Sequence, residues 1–300
     1  MRQKEYEKWG LIISIVLNFF IALAGFWMFF HTRVQALFLD GFFSFISFAS
    51  CVSGLIVSKL SSGNTKNFPE GLYFLEPLYA IIKSTVTLIL LVISLMGTGI
   101  ATVKYLLYGI GSPLIQGPII PYTISMVSLC FFIVFCNRYL NKKMNNTSII
   151  LHAEAEASFI DGIQTVGIGL AIILLNFIDI NGPLGFLHYT ADFFITFFLV
   201  VISIKEPVVL LSQSLRELVQ GTVGDKTIET TILEVLKDNL NDIIPEKTYY
   251  IYKIGTHIKI QIVIHSVLDT PMIDLLTQKR KIIIDKLNNE YESIELNYLF

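Results

Sequence analysis

The stretch HAEAEASFIDGIQTVGIGLAIIL, residues 152–174, determines how the rest of the chain is interpreted. Its length and its apolar second half predict a membrane-spanning helix, since about 20 residues cross the hydrocarbon core of a bilayer. Its first half nevertheless carries Glu154, Glu156 and Asp161. An aspartate at the centre of a membrane helix costs of order +2.5 to +3.5 kcal/mol on insertion scales. We therefore expect these acids to have a function, with partners on other helices.

The composition of the whole chain is that of a polytopic membrane protein. Of its 300 residues, 53% are hydrophobic and only 15% are charged, with a mean hydropathy of +0.64. A soluble domain of this size is more polar. The net charge of −2 gives no indication of nucleic-acid binding. The sequence contains no His-Glu-x-x-His, Gly-x-Ser-x-Gly or phosphate-loop motif, so we do not expect an enzyme.

Six apolar runs predict a transmembrane domain of six helices over residues 9–211. The runs cover about residues 10–30, 34–59, 78–97, 122–135, 152–174 and 191–204. Arg and Lys are concentrated before the first run, after the second (Lys66 among them) and after the fourth, whereas the other loops carry only Arg33 and Lys104. Because cytoplasmic loops are enriched in these residues, residues 1–8 are expected to form a cytosolic tail, and both termini should be cytoplasmic.

Residues 212–300 have the composition of a small cytosolic domain. Helical periodicity predicts helices at 227–240 and 272–287, and strands are expected at 249–254, 258–264 and 293–299. In the second strand isoleucine alternates with other residues, as expected when one face is buried. Gly255 and Thr256 lie at the predicted turn between the first two strands. The order αββαβ predicts an α+β domain.

Several short motifs resemble those of the cation diffusion facilitator family, in the same order along the chain. Residues 68–78, FPEGLYFLEPL, resemble the segment before the third helix of that family, and further matches lie on the second, fifth and sixth helices. The matching residues are Pro69, Gly71, Glu76, Pro77, Leu78, Ala36, Leu37, Asp40, Ala153, Glu154, Asp161 and Asp192. The similarity extends over essentially the whole chain, and Asp192 is expected to cap the sixth helix.

The resemblance implies a secondary transporter that exchanges a divalent cation for protons as its helices rock between two states. It further implies a protein of the cell membrane that forms a homodimer through its cytosolic domain. The resemblance of that domain to the dimerising domain of the family rests on the order of its helices and strands alone. Its partners would be the lipid bilayer, the cation and protons, with no nucleic acid. No resident cofactor is implied, because the cation is the substrate, and Mn²⁺, Fe²⁺, Zn²⁺ and Mg²⁺ remain open.

The sequence departs from the family at the transport site itself. In the family, two ligands four residues apart on helix two and two more on helix five make a tetrahedral zinc site. The matching positions here are Phe43, Ser47, Ala157 and Asp161, of which only Asp161 is a strong ligand. The absence of imidazole from these positions argues against a soft or borderline metal and favours a hard cation with oxygen ligands.

A different carboxylate site is predicted from helix geometry. If helices two and five are antiparallel, Asp40 lies roughly 4–5 Å further out than Asp161, and Glu154 lies about 10 Å inward on the same face, at a rise of 1.5 Å per residue. We therefore predict that Asp161 is the principal ligand and proton acceptor, with Asp40 as its partner and Glu154 as an inner relay. The neutral oxygens expected nearby are those of Ser44, Ser47, Gln164 and Thr165.

Structural interpretations remain for these three acids, and another function remains for the whole protein. Asp40 is also interpretable as a capping or inter-helix hydrogen-bond residue, Glu154 as an acid at the membrane interface, and Asp161 as a purely structural residue. The loss of three of the four family ligands also fits a transport-inactive subunit that pairs with another transporter. Retention of metal by the pure protein, or metal-dependent proton flux, distinguishes a transporter from such a subunit.

Overall fold

The fold is described from a computed structural model. It describes residues 2–60, 71–115, 117–143, 149–224, 226–241, 243–244, 246–255, 257–265, 270–288, 290–291 and 293–299. Lys66, Pro69 and Thr256, which the sequence interpretation used, lie outside these residues. The chain divides into two units, residues 1–56 with 86–206, and residues 57–85 with 207–300.

The described residues contain six helices long and apolar enough to span a membrane, which confirms the six predicted runs. The helices are α1 (Arg2–Thr32), α2 (Gln35–Leu60), α3 (Leu75–Tyr108), α4 (Ile119–Lys143), α5 (Ile149–Asn176) and α6 (Leu187–Ser203), followed by α7 (Lys205–Leu218). Residues 2–8 are helical and form the start of α1, whose candidate membrane span begins at Lys8, and α7 includes residues on both sides of the predicted boundary at 211/212.

The first unit has a buried core and an apolar outer surface. Ile21, Leu37, Ile133 and Ile168 belong to one buried cluster to which α1, α2, α4, α5 and α6 all contribute. Helix α3 by contrast exposes a row of large apolar side chains: Val86, Ile89, Val92, Ile93, Met96, Ile100 and Val103. Such an extended exposed apolar face is expected where lipid replaces water, and a helix satisfies its own backbone there.

Helices α1 and α2 cross in direct contact at two glycines. A methyl group placed on Gly25 would lie 2.5 Å from the Cα of Gly41, and one placed on Gly41 would lie 3.0 Å from the Cα of Gly25. Small residues at such crossings let membrane helices approach closely, which is a main source of helix association in lipid. Because Asp40 directly precedes Gly41, this crossing fixes the position of the Asp40 backbone.

The second unit contains the predicted αββαβ order, which the structure confirms as α8 (Lys226–Leu240), β1 (Lys247–Ile254), β2 (His257–Ile264), α9 (Thr270–Leu287) and β3 (Ser293–Leu299). The sheet order is β1-β2-β3, with β1 antiparallel and β3 parallel to β2. Ile258, Ile260, Ile262 and Ile264 of β2 are all buried in one cluster with α8 and α9. The isoleucine alternation thus identified the buried face correctly.

Candidate functional site

Helices α2 and α5 each carry a row of polar residues with the same spacing. Steps of four, three and four residues keep each row on one face of its helix. The rows are Asp40, Ser44, Ser47 and Cys51 on α2, and Glu154, Ser158, Asp161 and Thr165 on α5. Hydrogen bonds join Asp40 to Thr165 and Ser47 to Asp161. The rows therefore face each other in antiparallel order, and we call them the α2–α5 polar seam.

Asp40 lies at the more deeply buried end of the seam. Its side chain is only 6% exposed. The Thr165 hydroxyl donates to Oδ1 of Asp40 over 2.6 Å, and the Tyr122 hydroxyl donates to Oδ2 over 2.8 Å. Two short hydrogen bonds of this kind compensate for part of the cost of burying a carboxylate. The arrangement confirms hydrogen bonding between helices at Asp40, and it also holds both carboxylate oxygens in fixed positions.

The hydroxyl of Thr165 has two possible acceptors and a single hydrogen. Besides Oδ1 of Asp40, it lies 3.0 Å from the backbone carbonyl oxygen of Asp161. When Asp40 is ionised, Thr165 donates to it. When Asp40 carries a proton, its own O–H donates to Oγ1 of Thr165, and the Thr165 hydrogen is free to turn to the carbonyl of Asp161. Thr165 thus connects the protonation of Asp40 with the backbone of α5 beside Asp161.

Asp161 is held less tightly than Asp40. The only side-chain hydrogen bond to its carboxylate from within the described residues comes from Ser47 over 3.4 Å, which is long. Its carboxyl lies close enough to Asp40, Glu206 and Glu154 to interact with their charges. An ionised carboxylate has about four lone-pair positions, so one long bond leaves room for a further ligand. The Asp161 carboxylate therefore has lone-pair positions that no side chain in the described part of the chain uses.

The other predicted residues lie at different distances from this centre. Ser44 is buried in the seam between Asp40 and Ser47. Glu154 is half-buried on the same face of α5, two turns from Asp161. Gln164 contacts α6 instead of α2, since its amide donates to the Ser203 hydroxyl over 2.9 Å. Within the described residues, the buried Ser158 hydroxyl has no hydrogen-bond partner, which leaves one oxygen of the seam open.

Tyr122 and Cys130 of helix α4 belong to the site, and sequence reasoning did not place them there. Tyr122 is buried against Asp40, and the Cys130 thiol lies near both aspartates. A methyl group on Gly162 would come within 3.2 Å of Cβ of Cys130, so α4 and α5 are closely packed at this level. A tyrosine near the start of a membrane helix usually lies at the lipid interface, and this masked the role of Tyr122.

The donor set suits a hard cation with an incomplete protein shell. No group of three or more His, Cys, Asp or Glu side chains that could hold a metal ion occurs in the part of the chain that the structure describes. Two carboxylates, Asp40 and Asp161, are accompanied instead by hydroxyl and carbonyl oxygens. Mg²⁺ is commonly bound by one or two carboxylates while it keeps several waters, and Mn²⁺ has similar ligand preferences.

Asp192 has a structural role, but not the one expected from the sequence. Its Oδ2 accepts from the backbone N–H of Gln35 over 2.9 Å, and its Oδ1 accepts from that of Ala36 over 3.2 Å. The carboxylate therefore caps the N-terminus of α2 and not that of α6, whose N-cap residue, Phe186, makes no side-chain hydrogen bond to the helix. The expectation that Asp192 caps helix six was wrong because α6 begins at Leu187, one full turn earlier than predicted.

Comparison with known families accounts for this arrangement. The family model described as the cation efflux transmembrane domain matches residues 11–219, well over half of the 300 residues. The chain belongs to the cation diffusion facilitator (cation efflux) family. No curated protein matches it. Six membrane helices followed by a small region of three strands and helices agree with the fold of this family, whose members are transporters. The chain is thus an integral membrane protein of the cation-transporter kind.

The structure brings together two of the four positions that resemble the ligands of other cation diffusion facilitators. Ser47 on α2 contacts Asp161 on α5, although serine replaces a strong ligand. Asp40 is not at one of these four positions, but it supplies a carboxylate from the same face of α2, two turns before Ser47. The α2–α5 polar seam of this family member therefore lies on the same two helices as those positions, with different oxygen-bearing residues.

The first prediction concerns Tyr122. Replacing it by phenylalanine removes one of the two hydrogen-bond donors to Asp40. We expect the rate of cation transport to fall about 10-fold, the low end of the 10- to 100-fold range for residues that hydrogen-bond to a metal ligand. The initial rate of cation uptake into proteoliposomes measures this. Tyr139→Phe on the same helix is the matched control, because Tyr139 is half exposed. Equal rates for Tyr122→Phe and the native protein would contradict the role given to Tyr122.

The second prediction concerns the cap on α2. Asp192→Ala leaves the N–H groups of Gln35 and Ala36 without their acceptor, and we expect a loss of about 0.5–2 kcal/mol of stability, the usual range for an N-cap. Thermal unfolding of the purified protein in detergent measures this loss. Asp192→Asn keeps one acceptor and should be intermediate. A melting temperature for Asp192→Ala equal to that of the native protein would show that the cap does not stabilise the fold.

Proposed function

We propose that this protein is a secondary transporter that exports a divalent cation from the cytoplasm in exchange for protons. The observation that carries the proposal is the α2–α5 polar seam, in which Thr165 lies between the Asp40 carboxylate and the Asp161 backbone, and Ser47 contacts the Asp161 carboxylate. Asp161 is the principal ligand, Asp40 its partner, and Glu154 a relay further along the same face of α5. Oxygen ligands favour Mn²⁺, Fe²⁺ or Mg²⁺ over Zn²⁺.

Proton coupling follows from the chemistry of the ligands. A carboxylate must be deprotonated to bind a metal ion, so a cation and a proton compete for the same oxygens. Cation binding at Asp161 and Asp40 would release protons, and cation release would allow them to return. Thr165 supports this exchange because its single hydrogen has an acceptor in either state of Asp40. Two-state rocking of the helices would then expose the seam to each side of the membrane in turn.

The direction of transport depends on the orientation, which we propose from charge. The Lys and Arg bias places both termini in the cytoplasm. Glu154 lies in the half of α5 that follows the basic loop after α4, and it would therefore face the cytoplasmic side. A homodimer through the αββαβ domain completes the proposal and rests on resemblance to the family.

The test is a flux assay on the full chain in proteoliposomes that contain a metal-sensitive dye or a pH dye. Zn²⁺, Mn²⁺, Fe²⁺, Co²⁺ and Mg²⁺ are offered one at a time, with protein-free vesicles as the control. The proposal expects uptake of at least one ion, a preference for oxygen-binding ions over Zn²⁺, and opposite proton movement. Uptake without any proton movement would overturn the coupling, and equal rates in vesicles with and without protein would overturn transport.

A second candidate is a transport-inactive subunit that pairs with another transporter. The observation in its favour is the lack, in the described residues, of any cluster of three strong metal-binding side chains. This candidate predicts no flux for any of the five ions from a folded protein. It also predicts that the chain co-purifies from its native membrane with a second membrane protein.

A further inference from the structure

The first unit contains a cavity with both polar and apolar walls, near the residue at which α2 begins. It has a volume of about 270 Å³ and is lined by the connection between α1 and α2, the end of α3, residues 110–114 and the start of α6. We call it the α3–α6 pocket. None of its lining residues belongs to the polar seam. We propose that this pocket binds a phosphate group, as carried by the headgroup of a membrane phospholipid.

The charge of the pocket supports an anionic ligand. Arg33 and Lys104 both line it, from two different parts of the chain. Among the residues that the structure describes, neither forms an ion pair with an acid, since the pairs found there involve Arg138, Lys253 and His257. An arginine and a lysine that converge on one cavity are the side chains that most often bind phosphate oxygens.

The single acidic residue in the lining does not cancel this charge. Asp192 lines the pocket, but its two oxygens accept hydrogen bonds from the backbone of Gln35 and Ala36 and from the hydroxyl of Thr196. Its negative charge is thus matched by the N-terminus of α2, which carries partial positive charge. Thr102, Ser112 and Tyr189 contribute hydroxyl groups to the same lining, and these suit the oxygens of a phosphate.

The backbone of Arg33 gives an independent indication that its side chain is used. Arg33 ends α1 in the left-handed conformation, with φ of 60°, and its N–H donates to the carbonyl of Phe29. Helix α3 ends in the same way, but there the left-handed residue is Gly109, with φ of 64°, and its N–H donates to the carbonyl of Tyr105. Glycine adopts this conformation without steric cost, whereas arginine does not. Strained residues of this kind cluster at functional sites.

The size and surroundings favour a headgroup over a larger ligand. A cavity of about 270 Å³ is smaller than the range of 300–1,000 Å³ typical of sites for drug-sized molecules. Ile110, which lines the pocket, is 69% exposed, and the neighbouring Leu107 of α3 is also 69% exposed. Acyl chains of a bound lipid would find an apolar surface along α3 directly beside the pocket. A free phosphate ion shares the headgroup chemistry but makes no use of this surface.

Lipid binding is the test, carried out on the full chain purified in detergent and stripped of lipid. Phosphatidylglycerol, a diacylglycerol with the same acyl chains and inorganic phosphate at matched ionic strength are added separately. Native mass spectrometry counts bound lipid, and thermal unfolding reports stabilisation. Arg33→Gly and Lys104→Gln are examined singly and together. Arg33→Gly keeps the left-handed helix end, as Gly109 does, so it should fold with an unchanged or higher melting temperature.

We expect phosphatidylglycerol to bind the double variant about tenfold more weakly than the native protein, as for the loss of charge-assisted hydrogen bonds. Lys142 is an exposed lysine at the end of α4. The control variant Lys142→Gln should bind phosphatidylglycerol as the native protein does. Diacylglycerol should bind both proteins equally. Stabilisation by inorganic phosphate that the double variant loses would identify a soluble anion as a sufficient ligand. Equal binding of phosphatidylglycerol to the native protein and the double variant, or no effect of either phosphate compound, would overturn the proposal.

Discussion

Replacing Asp161 by alanine is expected to abolish cation transport. The residue supplies a carboxylate that accepts a single, long side-chain hydrogen bond from the described residues, and it lies close enough to Asp40, Glu154 and Glu206 to interact with their charges. Loss of a residue that only hydrogen-bonds to a metal ligand typically lowers activity about 10- to 100-fold. Loss of the ligand itself should have a larger effect, so we expect the rate to decrease by at least about 100-fold. The measurement is the initial rate of cation uptake in proteoliposomes.

Two further variants test whether the effect depends on the negative charge of Asp161 and whether it is specific to that residue. Asp161→Asn keeps the size of the side chain and one acceptor oxygen, but it cannot bind a cation as strongly, and its rate should also be close to background. Glu156→Ala is the matched control, because Glu156 lies on the same helix and pairs with Arg138 on an exposed surface over 2.9 Å. Its rate should stay near that of the native protein, since exposed ion pairs contribute little. Unaltered transport by Asp161→Ala would exclude Asp161 as a ligand.

Replacing Gly25 by alanine is expected to destabilise the folded structure. The new methyl group would lie 2.5 Å from the Cα of Gly41, 2.9 Å from its backbone nitrogen and 3.1 Å from the Tyr122 hydroxyl. The first two neighbours are backbone atoms and cannot turn away, so α1 and α2 must separate. Overpacking of a tight core typically costs about 1–3 kcal/mol. We expect the upper part of this range, together with reduced transport, because Asp40 would move relative to Tyr122.

The chain offers matched controls for this substitution. Gly167 lies inside α5, and a methyl group added to it would meet no heavy atom within 4 Å; the same is true of Gly97 in α3. Gly167→Ala and Gly97→Ala should therefore leave thermal stability unchanged or slightly raise it, since alanine favours helix. Thermal unfolding in detergent compares the three variants. If Gly25→Ala melts at the same temperature as Gly167→Ala, the close crossing of α1 and α2 does not stabilise the fold.

The sequence predicted the fold where a single physical signal dominated. Long apolar runs are required wherever a helix crosses hydrocarbon, so six spans could be identified from composition alone. Alternating isoleucines identified β2 and its buried face because successive strand residues point to opposite sides. The end of α3 was predicted at residue 97 and lies at Tyr108, since Gly97, Gly99 and Lys104 are tolerated inside this membrane helix.

The site was predictable to the extent that helix geometry fixes it. The rise per residue placed Asp40 roughly 4–5 Å further out than Asp161 on two antiparallel helices, and in the structure Thr165 lies between the Asp40 carboxylate and the Asp161 backbone. The contribution of Tyr122 depends on how α4 packs against α2, and no local sequence pattern encodes that packing. The identity of the bound cation and the transport roles of all the predicted site residues stay predictions.

Cation binding at equilibrium tests the central claim most directly, namely that Asp40 and Asp161 hold the transported ion between α2 and α5. Purified protein is titrated with Mn²⁺ and free Mn²⁺ is followed by electron paramagnetic resonance, with Mg²⁺, Fe²⁺ and Zn²⁺ as competitors. The account predicts saturable binding that Asp161→Ala removes, Asp40→Ala weakens and Glu156→Ala leaves intact. Binding by Asp161→Ala with the affinity of the native protein, or no binding of any of the four ions by the native protein, would contradict it.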